Sequence, residues 1–501
     1  MTDVIATRTG TFAQRSFLVQ QMMDLQARVY DSQLRVTTEQ KSQNYTGISS
    51  ESFRLVNLES EVSEVEYFTK SNNIAQVRLN TVSNSVSAIE SVLHRVHDDL
   101  LALNAGDQQQ PLEADEVSAI EDIQEFAFAA MQDLSSYLNA RSDGRYVFSG
   151  GRTDQKAVDF PYGNLAEFQA DYDGATVTFP TSRAANVPDV KIANAQHGGL
   201  TFGANTITPT TAASTASLTA GTVIELSDGD ITTQRFTVTA RNSTTGALTV
   251  TPDPSGLPAA ASDATITGVS YYGGDSLSFE HRVSENRTLD LGLNAKDPAF
   301  EKAFRALGML AQGGLDAAST TTAAGATGTL TFDDVAGTVT AANGGSLQGL
   351  PIGSAITFPG TANNAAQTFT IVSNDGTTLE LDPPPTAEGP VASEAVTDNL
   401  GRIDKALKLL YDAIDHDSNL SGEMASDIGA VARQVGFNQV TLDRALDEAR
   451  TTSTYLSIRV SDIERVDLVE AATRLQDDAL ALEASMSSYA RISSISLMSY
   501  L

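Results

Sequence analysis

No glycine or proline interrupts the chain between Gly47 and Gly106. Inside that run Leu79, Val82, Val86, Ile89, Leu93, Val96, Leu100 and Leu103 recur at alternating steps of three and four. Such steps put one side chain per turn on a single face of an α-helix. The pattern predicts one helix from about Ser52 to Leu103. At 1.5 Å per residue, about 50 residues make a rod roughly 75 Å long. An apolar stripe on so long a rod cannot be covered inside a compact globule. It requires other long helices alongside.

The C-terminal stretch supplies a mate. Leu468, Ala472, Leu475, Ala479, Leu482, Met486 and Tyr489 follow one another at steps of four and three, a heptad seam on one side of a helix. Beyond them Ile492, Ile495, Leu497, Met498, Tyr500 and Leu501 are apolar as well, and exposed apolar surface seeks a partner. Near the other end, Phe17, Leu18, Met22, Leu25, Val29 and Leu34 mark an amphipathic helix within 12–42. The segment from Asn44 breaks it, and Ser49 or Ser50 can cap the helix that follows. Val117, Ile120, Ile123, Ala127, Met131, Leu134 and Leu138 predict a further helix after a turn with Gly106 and Pro111. The helical alternation resumes late, at Leu400, Ile403, Leu407, Leu410 and Ile414, and again at Ile428, Val431, Val435, Leu442 and Ala445.

The middle of the chain reads differently. From about 160 to 280, short Thr-, Val- and Ile-rich runs alternate between Gly, Pro, Asn and Asp, as β-structure does. Leu200-Thr-Phe, Ser217-Leu, Phe236-Thr-Val and Leu248-Thr-Val recur as Leu330-Thr-Phe, Ser346-Leu, Phe369-Thr-Ile and Leu379-Glu-Leu, at offsets of 130, 129, 133 and 131. Two related β modules are therefore inserted into the chain. Between them a short helix is expected at Pro298, whose ring suits a first turn. The fold class expected is α+β, a long antiparallel coiled-coil bundle from both termini with two inserted small β domains. Its segments are 1–160, the N-terminal helical half; 161–280, the first β insert with a module at about 198–269; 281–315, a short strand and helix returning to the bundle; 316–397, the second β insert; and 398–501, the C-terminal helical half.

Composition narrows the function. Asp plus Glu number 63 against 32 Lys plus Arg, a formal net charge of −31, and such a chain repels the phosphates of nucleic acid. The absence of cysteine removes disulfide and thiolate chemistry. No charged-then-apolar signal peptide opens the chain, and no window reaches the roughly 18 apolar residues of a membrane span.

Catalytic patterns are weak. Gly274-Asp-Ser-Leu matches a short esterase motif, but it sits mid-chain among β signals, and Asp412 with His416 has the wrong spacing for its partner pair. His94 and His97 lie one helical turn apart without further metal ligands in view. The pairs Asp98-Asp99 and Asp477-Asp478 read as solubilising helix faces. Asp228, Asp230, Asp333 and Asp334 lack a calcium-loop spacing. No enzyme, cofactor or metal is expected.

Four stretches carry a resemblance to a family. Val466-Asp-Leu-Val-Glu-Ala-Ala-Thr-Arg-Leu, the closing Ile495-Ser-Leu-Met-Ser-Tyr-Leu, Tyr146-Val-Phe-Ser-Gly-Gly-Arg-Thr-Asp and Asn294-Ala-Lys-Asp-Pro-Ala-Phe-Glu-Lys-Ala-Phe-Arg-Ala-Leu resemble the bacterial flagellin superfamily. The Phe-Ser-Gly-Gly-Arg-Thr-Asp stretch is more similar to the hook-associated protein 3 branch, at the hook–filament junction, than to filament flagellins. The Arg-Ile-Asn run usual after the first flagellin helix is replaced here by Gln43-Asn-Tyr-Thr-Gly-Ile-Ser-Ser. The resemblance covers about 1–160, 270–312 and 398–501 and leaves the β modules outside.

The resemblance implies a flagellin-like helical core. It also implies a structural subunit outside the cell, exported unfolded by the flagellar type III secretion apparatus with an export chaperone and no cleaved signal. Its partners would be copies of itself, other hook-associated proteins and flagellin. The assembly residues expected are Leu79, Val82, Val86, Ile89, Leu93, Val96 and Leu100 in the first seam, with Leu468, Leu475, Leu482, Met486, Tyr489, Ile492, Ile495 and Leu501 in the second. Filament flagellin is the alternative within the family. A surface adhesin on a coiled-coil stalk, acting through the β modules, is the alternative outside it.

Overall fold

A computed structural model describes residues 2–48, 50–104, 114–174, 177–227, 233–242, 244–315, 321–322, 327–342, 347, 350, 353–374, 376–398, 401–416 and 423–498. Among the described residues the chain is α+β, with helices, two large β-sheets and two two-stranded hairpins. It divides into two compact units, Met1–Asn73 with Asp443–Leu501, and Ile74–Leu442.

The first unit is helical. It holds α1 (Thr2–Thr38), the start of α2 (Ser52–Asn104), the end of a later helix that closes at Glu464, and the C-terminal helix Leu468–Met498. A small cluster of Ile48, Leu55 and Ile463, flanked by Leu58 and Val460, fixes the start of α2 against that later helix. The Gly- and Pro-free run thus produces the single helix its pattern predicts. The turn expected at Gly106 and Pro111, and the cap at Ser49, lie outside the described residues.

The second unit is organised around a buried helix. After α3 (Ala114–Leu138) and the short α4 (Leu165–Asp171), α5 (Pro298–Ala311) packs against α3 on one side and α6 (Gly401–Ile414) on another. Asp297 caps α5 by accepting the Ala299 amide at 2.9 Å, and Pro298 fits the first turn, where no amide is needed. Every residue from Ala299 to Ala311 is buried, including Glu301, Lys302 and Arg305.

Those charges are all engaged. Lys302 Nζ donates to Asp412 Oδ2 at 2.6 Å and to the carbonyl oxygens of Asp412, Met424 and Ser426. Arg305 donates to Glu301 at 2.9 Å, to Glu423 at 2.8 Å and to the Thr181 carbonyl at 2.9 Å. Burial opposes the Arg305 charge, but Glu301 and Glu423 outweigh it and raise its pKa above the ordinary arginine value. Asn186 supplies a further donor to Glu301 at 2.8 Å. Buried charges persist only when paired in this way. The network holds Glu423, Met424 and Ser426, just before α7 (Ile428–Glu464) begins.

Two stretches singled out in the sequence meet in this unit. Asp275 Oδ1 accepts the amides of Gly151 at 2.7 Å and Leu277 at 3.0 Å, so Gly274-Asp-Ser-Leu ties down the Phe-Ser-Gly-Gly turn. Gly150 sits at φ +66°, and a Cβ there would strike the Asp275 carbonyl. Asp412, the other half of the weak esterase pattern, binds Lys302, and His416 Nδ1 lies 2.9 Å from its second oxygen.

The two sheets repeat one design. The first comprises β1 (Lys191–Ile192), β2 (Leu200–Gly203), β3 (Thr206–Pro209), β4 (Val223–Ser227), β5 (Gln234–Arg241), β6 (Leu248–Thr251) and β7 (Thr265–Val269), in the order β1-β7-β4-β5-β6-β3-β2. The second comprises β8 (Thr321–Thr322), β9 (Thr329–Asp333), β10 (Thr338–Ala342), β11 (Ala355–Thr357), β12 (Phe369–Asn374), β13 (Thr378–Asp382), β14 (Glu388–Val391) and β15 (Ala395–Asp398), in the order β8-β15-β11-β12-β13-β10-β9-β14. Apart from the added edge strand β14, the two orders coincide. The repeated residues occupy matching places. Leu200 and Leu330, Phe236 and Phe369, Leu248 and Leu379, and Leu218 and Leu347 all lie in the two cores. Asp333 accepts the amides of Val335 and Ala336 and so shapes a turn, while Asp228 and Asp230 lie outside the described residues. Among the described residues no group of acidic and histidine side chains is arranged to hold a metal ion, and no helix is long and apolar enough to cross a membrane.

Candidate assembly interface

In the first unit α1 packs along the C-terminal helix, here α8 (Leu468–Met498). The pair runs antiparallel, because Ser32 meets Asp478 and Gln40 bridges Arg465. The connection is stitched by backbone. Lys41 donates its amide to the Glu464 carbonyl at 2.7 Å, and Val466 donates to the Glu39 carbonyl at 3.0 Å. Glu39 takes φ +57°, the left-handed conformation in which the chain leaves α1. Asp467 opens α8 by accepting the amides of Val469 at 2.9 Å and Glu470 at 3.2 Å.

The faces that α1 and α8 turn inward are legible as heptads. On α1 they are Leu18, Met22, Leu25, Val29 and the buried Ser32; on α8 they are Ala471, Leu475, Leu482 and Tyr489, with Asp478 among them. Ser32 Oγ donates to Asp478 Oδ2 at 2.7 Å, so one polar pair sits in an otherwise apolar seam. The flanks remain open. Phe17, Met23 and Tyr30 on α1 are 63%, 60% and 70% exposed, and Leu468, Leu480 and Met486 on α8 are exposed too. A groove of about 680 Å³ runs beside the pair, lined by Arg28, Arg35 and Arg474 against Asp467, Glu470 and Asp477. Arg35 pairs with Asp31 at 2.8 Å and Arg474 with Glu470 at 2.8 Å, so opposite charges alternate along its walls.

The expected assembly residues fall into two sets. Leu79, Val82, Val86, Ile89, Leu93, Val96 and Leu100 are buried within the second unit of this chain. Leu475, Leu482 and Tyr489 are half-buried in the first unit, and Leu468 and Met486 face solvent. The Ile492 and Ile495 side chains and Leu501 lie outside the described residues. Sequence reading missed Ser32, Arg35 and Arg465, since polar residues carry no periodic signal. It read Asp478 as a solubilising charge, whereas the residue accepts a hydrogen bond from α1. His94 is exposed, and His97 is half-buried beside Asp98 at 3.3 Å, which leaves them on a helix face.

No protein-family model matches the chain, and no curated protein matches it in sequence. Among solved structures it is similar to FlgL of Xanthomonas campestris, at 12% identity over 86% of this chain and 99% of that one, with a TM-score of 0.26. It is similar also to flagellar hook associated protein-3 from Legionella pneumophila, at 10% identity over 87% and 98%, with a TM-score of 0.26. The flagellar hook junction protein FlgK from Burkholderia pseudomallei matches at 10% identity over 90% and 96%, with a TM-score of 0.14.

Proposed function

We propose that this chain is a structural subunit of the bacterial flagellum, acting at the hook–filament junction and joining its neighbours through its terminal helices. The observation that carries the reading is the antiparallel pairing of α1 with α8, whose outer flanks keep Phe17, Met23, Tyr30, Leu468 and Met486 in solvent. Paired helices from the two ends of the chain, with uncovered apolar side chains on their flanks, suit packing between copies into a tube. The resemblance of the terminal stretches and of Tyr146–Asp154 to the junction branch supports the same reading.

In this proposal the long helices form an antiparallel coiled-coil bundle. The first seam, Leu79 to Leu100, stiffens each subunit. Leu468, Leu475, Leu482, Met486, Tyr489, Ile492, Ile495 and Leu501 carry the contact with neighbouring copies, hook-associated proteins and flagellin. The role is structural and extracellular, without catalysis, and the chain leaves the cell through the flagellar type III apparatus, escorted by a chaperone. Fluorescently labelled protein on flagellated cells tests the assignment. One spot at the distal end of each hook is expected. Signal along the whole filament would make it a flagellin, and its absence from flagella would refute both.

A further inference from the structure

The first sheet has a second face that its core does not use. Ile224, Phe236, Val250 and Ile266 point into the β core, so their neighbours along each strand point the other way. Register places Val269, Val223, Thr237 and Thr251 in one row across that outer face. Facing the row is a wall of aromatic rings from α4, the segments around it, and α5. Tyr162, Phe168, Tyr172 and Phe179 pack ring to ring at 5.0–6.4 Å, and Tyr271 lies stacked on Phe304 at 4.8 Å with 9° between planes. Between the two walls is a cleft of about 420 Å³, within the size range of small-molecule sites.

Polar groups share its lining with the rings. Tyr162 donates its hydroxyl to Asp171 at 3.0 Å, and Thr237 and Thr251 bring hydroxyls from the sheet. Burial raises the pKa of Tyr162 and that of Tyr172, the latter to about 12, so both hydroxyls stay neutral, that of Tyr162 engaged with Asp171. Among the described residues lining the cleft, Asp159 and Asp171 outnumber the one arginine, Arg235, whose Nε donates to Glu225 at 2.6 Å. An excess of carboxylates over cations disfavours an anion. The hydroxyl and carboxylate groups disfavour a purely apolar guest, which would leave them without partners. Ring faces bordered by neutral donors and carboxylate acceptors suit a guest with one C–H face and a hydroxylated edge.

We propose that this cleft binds a neutral saccharide of one or two rings, its C–H face on Tyr162 and Tyr172 and its hydroxyls on Asp171 and the sheet threonines. The inference is independent of the assembly role. The test uses the full chain and saturation-transfer NMR against lactose, maltose, N-acetyllactosamine and N-acetylglucosamine, with sialyllactose as the anionic control. At least one neutral sugar is expected to bind, with sialyllactose at least tenfold weaker. Thr237→Trp, which fills the cleft from the sheet side, is expected to lose at least tenfold in affinity while keeping the wild-type far-ultraviolet spectrum. Asp171→Asn, which withdraws the carboxylate assigned to the sugar hydroxyls and leaves every ring in place, checks the same point and is expected to weaken binding severalfold. Absence of a signal from all four neutral sugars at millimolar concentration would overturn the proposal. So would equal binding of sialyllactose, or wild-type affinity in either variant.

Discussion

Ser32 and Asp478, 446 positions apart in the chain, share a hydrogen bond of 2.7 Å in the seam between α1 and α8. Sliding either helix by one turn would leave a partly buried carboxylate facing apolar side chains. A single polar pair in an apolar seam therefore fixes which turn meets which.

Ser32→Ala is expected to destabilise the α1–α8 pair by about 1–2 kcal/mol, because Asp478 keeps its desolvation without its donor. Amide hydrogen exchange in both helices should quicken by roughly tenfold, on the same free-energy scale. The double variant Ser32→Val with Asp478→Leu should recover most of the protection, since neither polar group is then stranded.

Ile89 and Leu482 separate folding from assembly. Ile89 is wholly buried, so Ile89→Asp should cost more than about 4 kcal/mol and lower the thermal midpoint of the free protein. Leu482 is half-buried, and Leu482→Asp should cost the free protein less than about 1.5 kcal/mol yet abolish incorporation at the hook. Calorimetry of the secreted proteins and microscopy of the cells measure the two effects. Normal incorporation of Leu482→Asp would remove the C-terminal seam from the interface.

Lys302 and Asp412 are both fully buried. Lys302→Met takes the buried ammonium away from the Asp412 carboxylate, with His416 remaining at its other oxygen, and removes the donor from the Met424 and Ser426 carbonyls, with an expected loss of about 3–5 kcal/mol. Adding Asp412→Leu should restore most of it. Denaturant titration of the single and double variants gives the coupling directly.

His281, buried in the hairpin Glu280–Ser284 and Arg287–Asp290, has its pKa lowered below 6.5 by desolvation. The unfolded chain takes up a proton near 6.5, while the folded chain resists it. Stability is therefore full at neutral pH and falls as pH drops below about 6.5, until the folded-state pKa is passed. His281→Phe should flatten the thermal midpoint between pH 7 and 5, and an unchanged slope would put the dependence elsewhere.

Much of the helical fold was readable because its signals are local. The run without glycine or proline became α2, and Pro298 with Asp297 became the start of α5. The repeat predicted two related modules, and their strand orders agree, although no periodicity could give the order itself, which depends on non-local pairing. The charges of α5 were illegible. Glu301, Lys302 and Arg305 look like a solvated face until Asp412 and Glu423, more than a hundred residues away, are brought to them. Within the C-terminal seam Leu475, Leu482 and Tyr489 turn toward α1, but the second inward row runs through Ala471, Asp478 and Ser485, one residue before Ala472, Ala479 and Met486, which are exposed, as is Leu468 at the first residue of the helix. The aromatic cleft escaped notice because its rings are spread from Tyr162 to Phe304 and converge only in the folded chain.

The shared strand order of the two sheets bears on the chain's history. Six strand pairings laid down twice in the same sequence, from stretches that now share little beyond Leu-Thr-Phe and a few core positions, are what a copied segment of gene leaves after long divergence. On that account β14 is a later acquisition, and the ancestor carried one such lobe where its descendant carries a pair.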